Sequence, residues 1–384
     1  MPSSVHVWGY PWDAAVWGPE GTADLLAGLG VDALSLAVVY HEAQILSLAG
    51  DEPRIVRPLA GVPIWRARAD ALPGALRGVA ARPWLERLAR ALNERGIALR
   101  AWCVVYHDAP LPGIENAFGD VLAHAPCPIA GAQALVALAG EVRAMGVFDA
   151  LEVESSGNVA AFHGGHHDIA GIVPTAFWQV VLGLCFCGAC RGVASQGGAD
   201  SDGVRAGLRR AAQSALAGHG SAPTEGRDAL DELVGDVPGL LRYARLRAEA
   251  AVGNLVRAQA AFGGRTALVG SGGVAIDRLP VQAGVAADRP ADGDLEVVSL
   301  AYGAPAAARA DIGRLRGLGW TADRHVVGLT LVESAVADRA AAEERFESAL
   351  EAGARRFSFY NVGILPRERR AWIRIFAERL GRAR

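Results

Sequence analysis

The sequence predicts an α/β fold, a closed (β/α)8 barrel of the TIM type with long loops after strands 2, 3 and 4. Three observations carry that prediction. Short β-rich runs alternate with amphipathic stretches in one continuous series. The runs number eight, whereas an open doubly wound sheet more often has about five to seven strands. The last four recur roughly every 30 residues, the length of one strand–helix unit.

The elements follow in order. VHVWGY (5–10) reads as strand 1 and is followed by a helix over 22–29. ALSLAVVY (33–40) is strand 2, and a helix over 83–95 leads to strand 3, IALRAWCVVY (97–106). A helix over 131–145 precedes strand 4, FDALEVES (148–155). Strands 5 to 8 begin near Thr266, Leu295, His325 and Arg356, and Ala/Arg/Glu-rich helices fill 305–318, 336–353 and 366–383. Excursions follow strand 2 (about 41–82), strand 3 (107–130) and strand 4 (156–265). Loops after strands lie on the face where barrels keep their active sites. The Gly/Ser/Ala/Asp-rich segment 195–231 predicts a loop, either a flap or a connector. Gly270, Gly272 and Gly273 in VGSGGV lack the full dinucleotide spacing and read as a tight exit from strand 5.

At about 150 residues per domain, 384 would suggest two or three domains. The eight-unit series instead predicts a single barrel domain over 1–384, with a helical excursion at about 156–265. All 38 cationic residues are Arg. The absence of lysine excludes Schiff-base aldolases, lysine-anchored pyridoxal-phosphate enzymes and Walker A loops. A hydrophobic content of 51% fills a large core, and a formal charge of -3 offers no field for a phosphate backbone. No apolar run reaches bilayer-spanning length, and the N-terminus has neither a cationic nor an apolar leader region. The expectation is a cytoplasmic protein without nucleic-acid or membrane partners, with homo-oligomerisation left open.

Cys185, Cys187 and Cys190 stand in LCFCGAC, after an apolar helical stretch over 174–184. Three thiolates this close can face one tetrahedral centre, and a fourth sulfur would close a structural zinc site. Cys127 in HAPCP is the candidate; Cys103 lies inside strand 3 and suits packing better.

The order Cys127-Pro128, then Cys185/Cys187/Cys190 after strand 4, resembles the zinc-containing family 42 glycoside hydrolases, β-galactosidases with a (β/α)8 catalytic domain. The resemblance covers roughly residues 97–190 plus strand 7. It implies a structural zinc on the four cysteines, an acid/base glutamate at the end of strand 4 and a nucleophile at the end of strand 7, where this chain has Glu154 and Glu333. The family ends strand 4 in Asn-Glu, whereas this chain reads LEVESSGN, and the expectation is a barrel without the family's trimerising and C-terminal domains. The fuller string of NAFGD (116–120), HAPCP, LEVES, FHGGHHD (162–168) and LCFC is similar to a group of bacterial barrel proteins with hydrolase-like folds.

Alternation along strand 4 puts Glu152 and Glu154 on one face, the lumen, with Glu154 nearer the mouth. Glu333 closes strand 7 at the same mouth, so two carboxylates are available for glycoside cleavage. FHGGHHD gathers His163, His166, His167 and Asp168, which can bind sugar hydroxyls or a divalent metal. Other strand ends supply Trp8, Trp12 and Asp13, Tyr40 and His41, His107 and Asp108, Tyr302, and Tyr360 and Asn361. Aromatic faces stack on sugar rings while amides, imidazoles and carboxylates take hydroxyls, so a small carbohydrate is the expected substrate. The predicted function is a glycosidase-like hydrolase with Glu154 as acid/base and Glu333 as nucleophile or base. The alternatives are a metal-dependent isomerase, epimerase or lyase using the His163–Asp168 loop, and a non-catalytic carbohydrate-binding barrel.

Overall fold

In the computed structural model, residues 3–156, 161–162, 170–171, 173, 175–217, 227–270 and 295–382 are described. Eight parallel strands close into a barrel: β1 (Ser4–Gly9), β2 (Ala33–Val39), β3 (Ala98–Val104), β4 (Ala150–Glu154), β5 (Arg265–Val269), β6 (Leu295–Leu300), β7 (His325–Thr330) and β8 (Arg356–Tyr360). Each strand pairs with its sequence neighbour, and β8 returns to β1 with Ser4 opposite Arg356. Strands buried on both faces read as nearly unbroken apolar runs, and β2 is buried along its whole length. The predicted barrel and its eight strands are thus observed.

The helices are α1 (Pro11–Gly28), α2 (Ala81–Asn93), α3 (Ala132–Met145), α4 (Ala176–Gly183), α5 (Gly188–Gln196), α6 (Ser201–Leu216), α7 (Arg227–Asp236), α8 (Leu240–Phe262), α9 (Pro305–Gly317), α10 (Arg339–Glu351) and α11 (Arg367–Arg382). Two differ from expectation. The helix predicted over 22–29 begins instead at Pro11, whose fixed φ suits a first helical position. Gly18, at φ +74, and Pro19 break it into two abutting pieces, so the first piece carries no clean helical pattern. The loop predicted over 195–231 is largely helical where it is described. Asp200 caps α6 by accepting from the Gly203 N–H at 2.9 Å, and the helix buries Val204, Leu208 and Ala212.

The excursions stand over the C-terminal face. Ile45–Ser47 and Arg54–Val56 form a hairpin after β2, and Gly113–Glu115 pairs with Val121–Pro126 after β3. After β4, helices α4 to α7 and the start of α8 enclose a second apolar core that includes Phe177, Trp178, Phe186, Leu208, Val237 and Tyr243. Helix α8 then packs along α3 and leads into β5. Among the described residues no single helix is long and apolar enough to cross a membrane.

One glycine is demanded by the lumen. A Cβ on Gly328 in β7 would stand 2.9 Å from the Trp8 ring and 3.0 Å from the Ser299 carbonyl oxygen, so Trp8 occupies the space a side chain would need. Gly328→Ala is expected to destabilise the barrel by about 1–3 kcal/mol through overpacking; an unchanged denaturant midpoint would refute this packing account.

Candidate active site at the barrel mouth

The lumen is layered by the two-residue period of its strands. In the lower layer, the Arg100 guanidinium meets Glu152 at 2.5 Å and Glu296 at 2.9 Å, and Arg356 meets Glu296 at 2.6 Å. Two cations thus face two anions. Burial alone would raise the Glu296 carboxyl, but Arg100 and Arg356 outweigh it and hold its pKa below the ordinary value. Glu152, 2% exposed, also accepts from Ser35 Oγ at 2.7 Å and Trp8 Nε1 at 3.1 Å. It is fully engaged by protein donors.

The upper layer is aromatic and surrounds one carboxyl. Glu154 ends β4 beside Val104 of β3, and Trp102 Nε1 donates to its Oε2 at 2.6 Å. Burial pushes the Glu154 pKa up to about 7; the Trp102 bond opposes this and repulsion from Glu152 adds to it. The hydroxyls of Tyr10, Tyr40 and Tyr360 form a triangle with sides of 2.7, 3.0 and 3.3 Å. Trp102 stacks on Tyr10 at 6.0 Å between centroids and meets Tyr40 edge-on at 5.2 Å. Tyr302 lies 6.1 Å from the Tyr360 ring, and burial followed by the nearby Glu154 charge raises its phenol well above the ordinary value.

Around this centre, Trp12 stacks on Tyr10 at 4.6 Å, and its Nε1 finds no partner among the described residues. Asp13 is buried beneath the mouth, accepts from Ser47 Oγ, and is pushed up to about 7 by burial. Asn361 is also buried, and its Oδ1 accepts from the Gly363 N–H at 3.1 Å. His41 stacks on Tyr40 and on His107, each at 4.3 Å. Glu333 is exposed in a turn just past β7. His163, His166, His167 and Asp168 lie outside the described residues, as do Gly272 and Gly273.

The structure therefore groups Tyr40, Tyr302 and Tyr360 about Glu154, while Trp8 reaches down to Glu152 and packs against Trp102 and Tyr360. Tyr10 and Trp102 belong to the same group and are not among the residues singled out from the sequence. A signal for Trp102 exists: it shares a strand face with Arg100, and a charge inside an apolar strand run needs a buried partner in the lumen.

Beyond the barrel wall, the sulfurs of Cys127, Cys185, Cys187 and Cys190 all lie within 4.8 Å of one another. Cys127 Sγ is 3.4 Å from Cys190 Sγ and 3.7 Å from Cys187 Sγ. Zn–S bonds of about 2.3 Å at a tetrahedral angle require S···S separations of roughly 3.8 Å, so the cluster fits such an ion. The backbone N–H groups of Glu115 and Cys187 both donate to Cys185 Sγ at 3.4 Å, and Arg247 Nε lies 3.3 Å from Cys190 Sγ. Those donors favour sulfur in its thiolate form. Cys103 is buried alone in β3.

No protein-family model matches the chain, and no curated relative does. Its fold is similar to the catalytic domain of the β-amylase of Paenibacillus polymyxa, at 12% identity and a TM-score of 0.53, covering 99% of this chain and 98% of that one. It is also similar to the β-galactosidase of the Antarctic haloarchaeon Halorubrum lacusprofundi, at 14% identity and 0.52, covering 99% of this chain and 58% of that one. The β-galactosidase of Bacillus circulans sp. alkalophilus aligns at 12% identity and 0.51, over 99% and 56%. The chain thus spans just over half of each of these two β-galactosidases, and at such identities the likeness establishes the barrel fold.

Proposed function

We propose that this barrel hydrolyses a glycosidic bond of a small carbohydrate, with Glu154 as acid/base and Glu333 as the second carboxylate. The observation that carries the reading is the state of Glu154: a carboxyl at the mouth, held by the Trp102 indole N–H and pushed up to about 7. Such a group keeps its proton near neutrality and can hand it to a departing glycosidic oxygen. The tryptophan and tyrosine rings beside it offer faces for a sugar ring, and the Tyr10, Tyr40 and Tyr360 hydroxyls offer donors and acceptors. Glu333 follows β7, three strands round the ring from β4, on the same face. The β-amylase and β-galactosidase folds that the chain resembles agree with this class of reaction.

Assaying a panel of aryl glycosides and oligosaccharides with wild type, Glu154→Gln and Glu333→Gln tests the proposal. Wild-type rates in both variants on a turned-over substrate would refute it.

The same reading gives the four cysteines a structural zinc that pins the β3 excursion to α5. Cys185→Ser is expected to lower the zinc that survives treatment with a mild chelator to less than roughly half an equivalent and to lower stability by several kcal/mol, since zinc binding by a closed site is folding free energy. Metal content together with a denaturant curve checks this; a chelated protein as stable as the untreated one would refute a structural role.

A further inference from the structure

We infer that His41, His107 and Asp108 form a second metal site, at the rim of the barrel mouth, which takes a divalent ion of the zinc class. One ligand atom from each lies within 4.8 Å of the other two. His107 Nε2 stands 3.4 Å from Asp108 Oδ2. Bonds of about 2.0–2.2 Å to nitrogen and oxygen at a tetrahedral angle span roughly 3.4 Å between ligands, so this edge has the length a bound ion would impose.

The two imidazoles are stacked 4.3 Å apart at 18°. Two imidazolium cations so placed would repel; because each neutral ring's lone pair lies in its own plane, shared ligation of one ion requires one ring to rotate out of the stack while the ligand atoms stay within reach. His41 Nδ1 lies 2.8 Å from the Glu42 carbonyl oxygen, which can only accept. In the neutral ring the proton therefore sits on Nδ1 and the lone pair on Nε2, the arrangement in which metal-binding histidines are commonly held. Asp108 adopts φ +51, a left-handed conformation that aspartate tolerates better than most residues, and its N–H donates to the His124 carbonyl at 2.9 Å. The backbone is thereby fixed with the carboxylate beside His107. The His107 side chain is 9% exposed and that of Asp108 23%, so an ion can enter from solvent.

Two nitrogens and one oxygen suit zinc and its first-row neighbours, unlike the all-sulfur set of the cysteine cluster. Among the described residues three protein ligands meet here, and a four-coordinate ion takes one further ligand, such as water or a ligand oxygen. Tyr40 joins the site to the reaction centre, because its ring stacks on His41 and its hydroxyl bonds to Tyr10 and Tyr360.

The test is metal binding by the full chain, independent of any activity. Protein treated with a mild chelator is titrated with zinc against a chromophoric competitor, and with Co(II) followed by absorbance. Wild type is expected to take up one exchangeable equivalent, its Co(II) form showing weak d–d bands without added thiolate charge transfer. His41→Ala, His107→Ala and Asp108→Asn are each expected to weaken that equivalent by about tenfold or more. An unchanged far-UV circular dichroism spectrum identifies the variants that remain folded. The inference is overturned if wild type binds no exchangeable equivalent. It is equally overturned if folded variants bind as tightly as wild type, including the case where His163→Ala/His166→Ala/His167→Ala abolishes the equivalent instead.

Discussion

Glu154→Gln is expected to lower turnover by roughly 10²–10⁴-fold, the range associated with loss of a positioned general acid or base, and at the same time to stabilise the protein above neutral pH. The second effect follows from the first. Burial raises the Glu154 pKa from 4.5 to about 7, so the folded chain binds this proton more tightly than the unfolded chain does. The resulting stability is fully present below about 4.5 and is lost as pH rises through about 7, where a charge must be carried in a largely apolar mouth. Gln keeps the shape and can still accept from Trp102, but it cannot ionise. At pH 8 the variant should be more stable than wild type by about 1–3 kcal/mol, and near pH 4 the two should agree. Asp13, pushed up to about 7 from 3.8, contributes a slope of the same sign that survives in the variant. Denaturant midpoints at several pH values measure this. A variant less stable than wild type at pH 8 would mean that Glu154 is not held in the protonated state on which the reaction scheme depends. Active wild type should likewise lose rate as pH rises through about 7, since the acid form disappears there.

The strands of this barrel are legible because an interior strand buried on both faces leaves a run of Val, Leu and Ala that surface loops do not imitate. Helix α1 is not, because Gly18 and Pro19 interrupt its periodicity while Pro11 permits an earlier start. Helix α6 is hidden by composition: its Gly, Ser and Asp content reads as loop, and its stability comes from the Asp200 cap and from the apolar core it shares with α4, α7 and α8. At the site, strand-end aromatics and Glu154 are visible one at a time. Their convergence depends on register: β2 carries an irregularity between Ala37 and Val39, just before Tyr40 and His41 emerge. His41 and His107 come from loops after different strands, so no local pattern announces that their rings stack. The four cysteines are the opposite case, since sulfur spacing alone brings three of them to one centre.

Arg100→Met is expected to destabilise the protein by about 3–5 kcal/mol, the usual consequence of removing one partner from a buried ion pair. Arg100 lies between Glu152 and Glu296, and without it two carboxylates face Arg356 and the half-exposed Arg265, which stands 3.4 Å from Glu296. Adding Glu152→Gln restores equal numbers of buried cations and anions, because Glu296 keeps Arg356. The double variant should therefore recover part of the loss, with a coupling of about 1–3 kcal/mol in a double-mutant cycle. The layer also bears on the reaction, because the Glu152 charge helps to raise Glu154 above it. Glu152→Gln alone should move the alkaline limb of the activity profile to lower pH. Arg100→Met, which leaves the Glu152 charge less compensated, should move it to higher pH. An ionic layer that only held the barrel together would change stability in both variants and leave that limb where it stands, so opposite displacements by two substitutions that each destabilise would separate tuning of Glu154 from support of the fold.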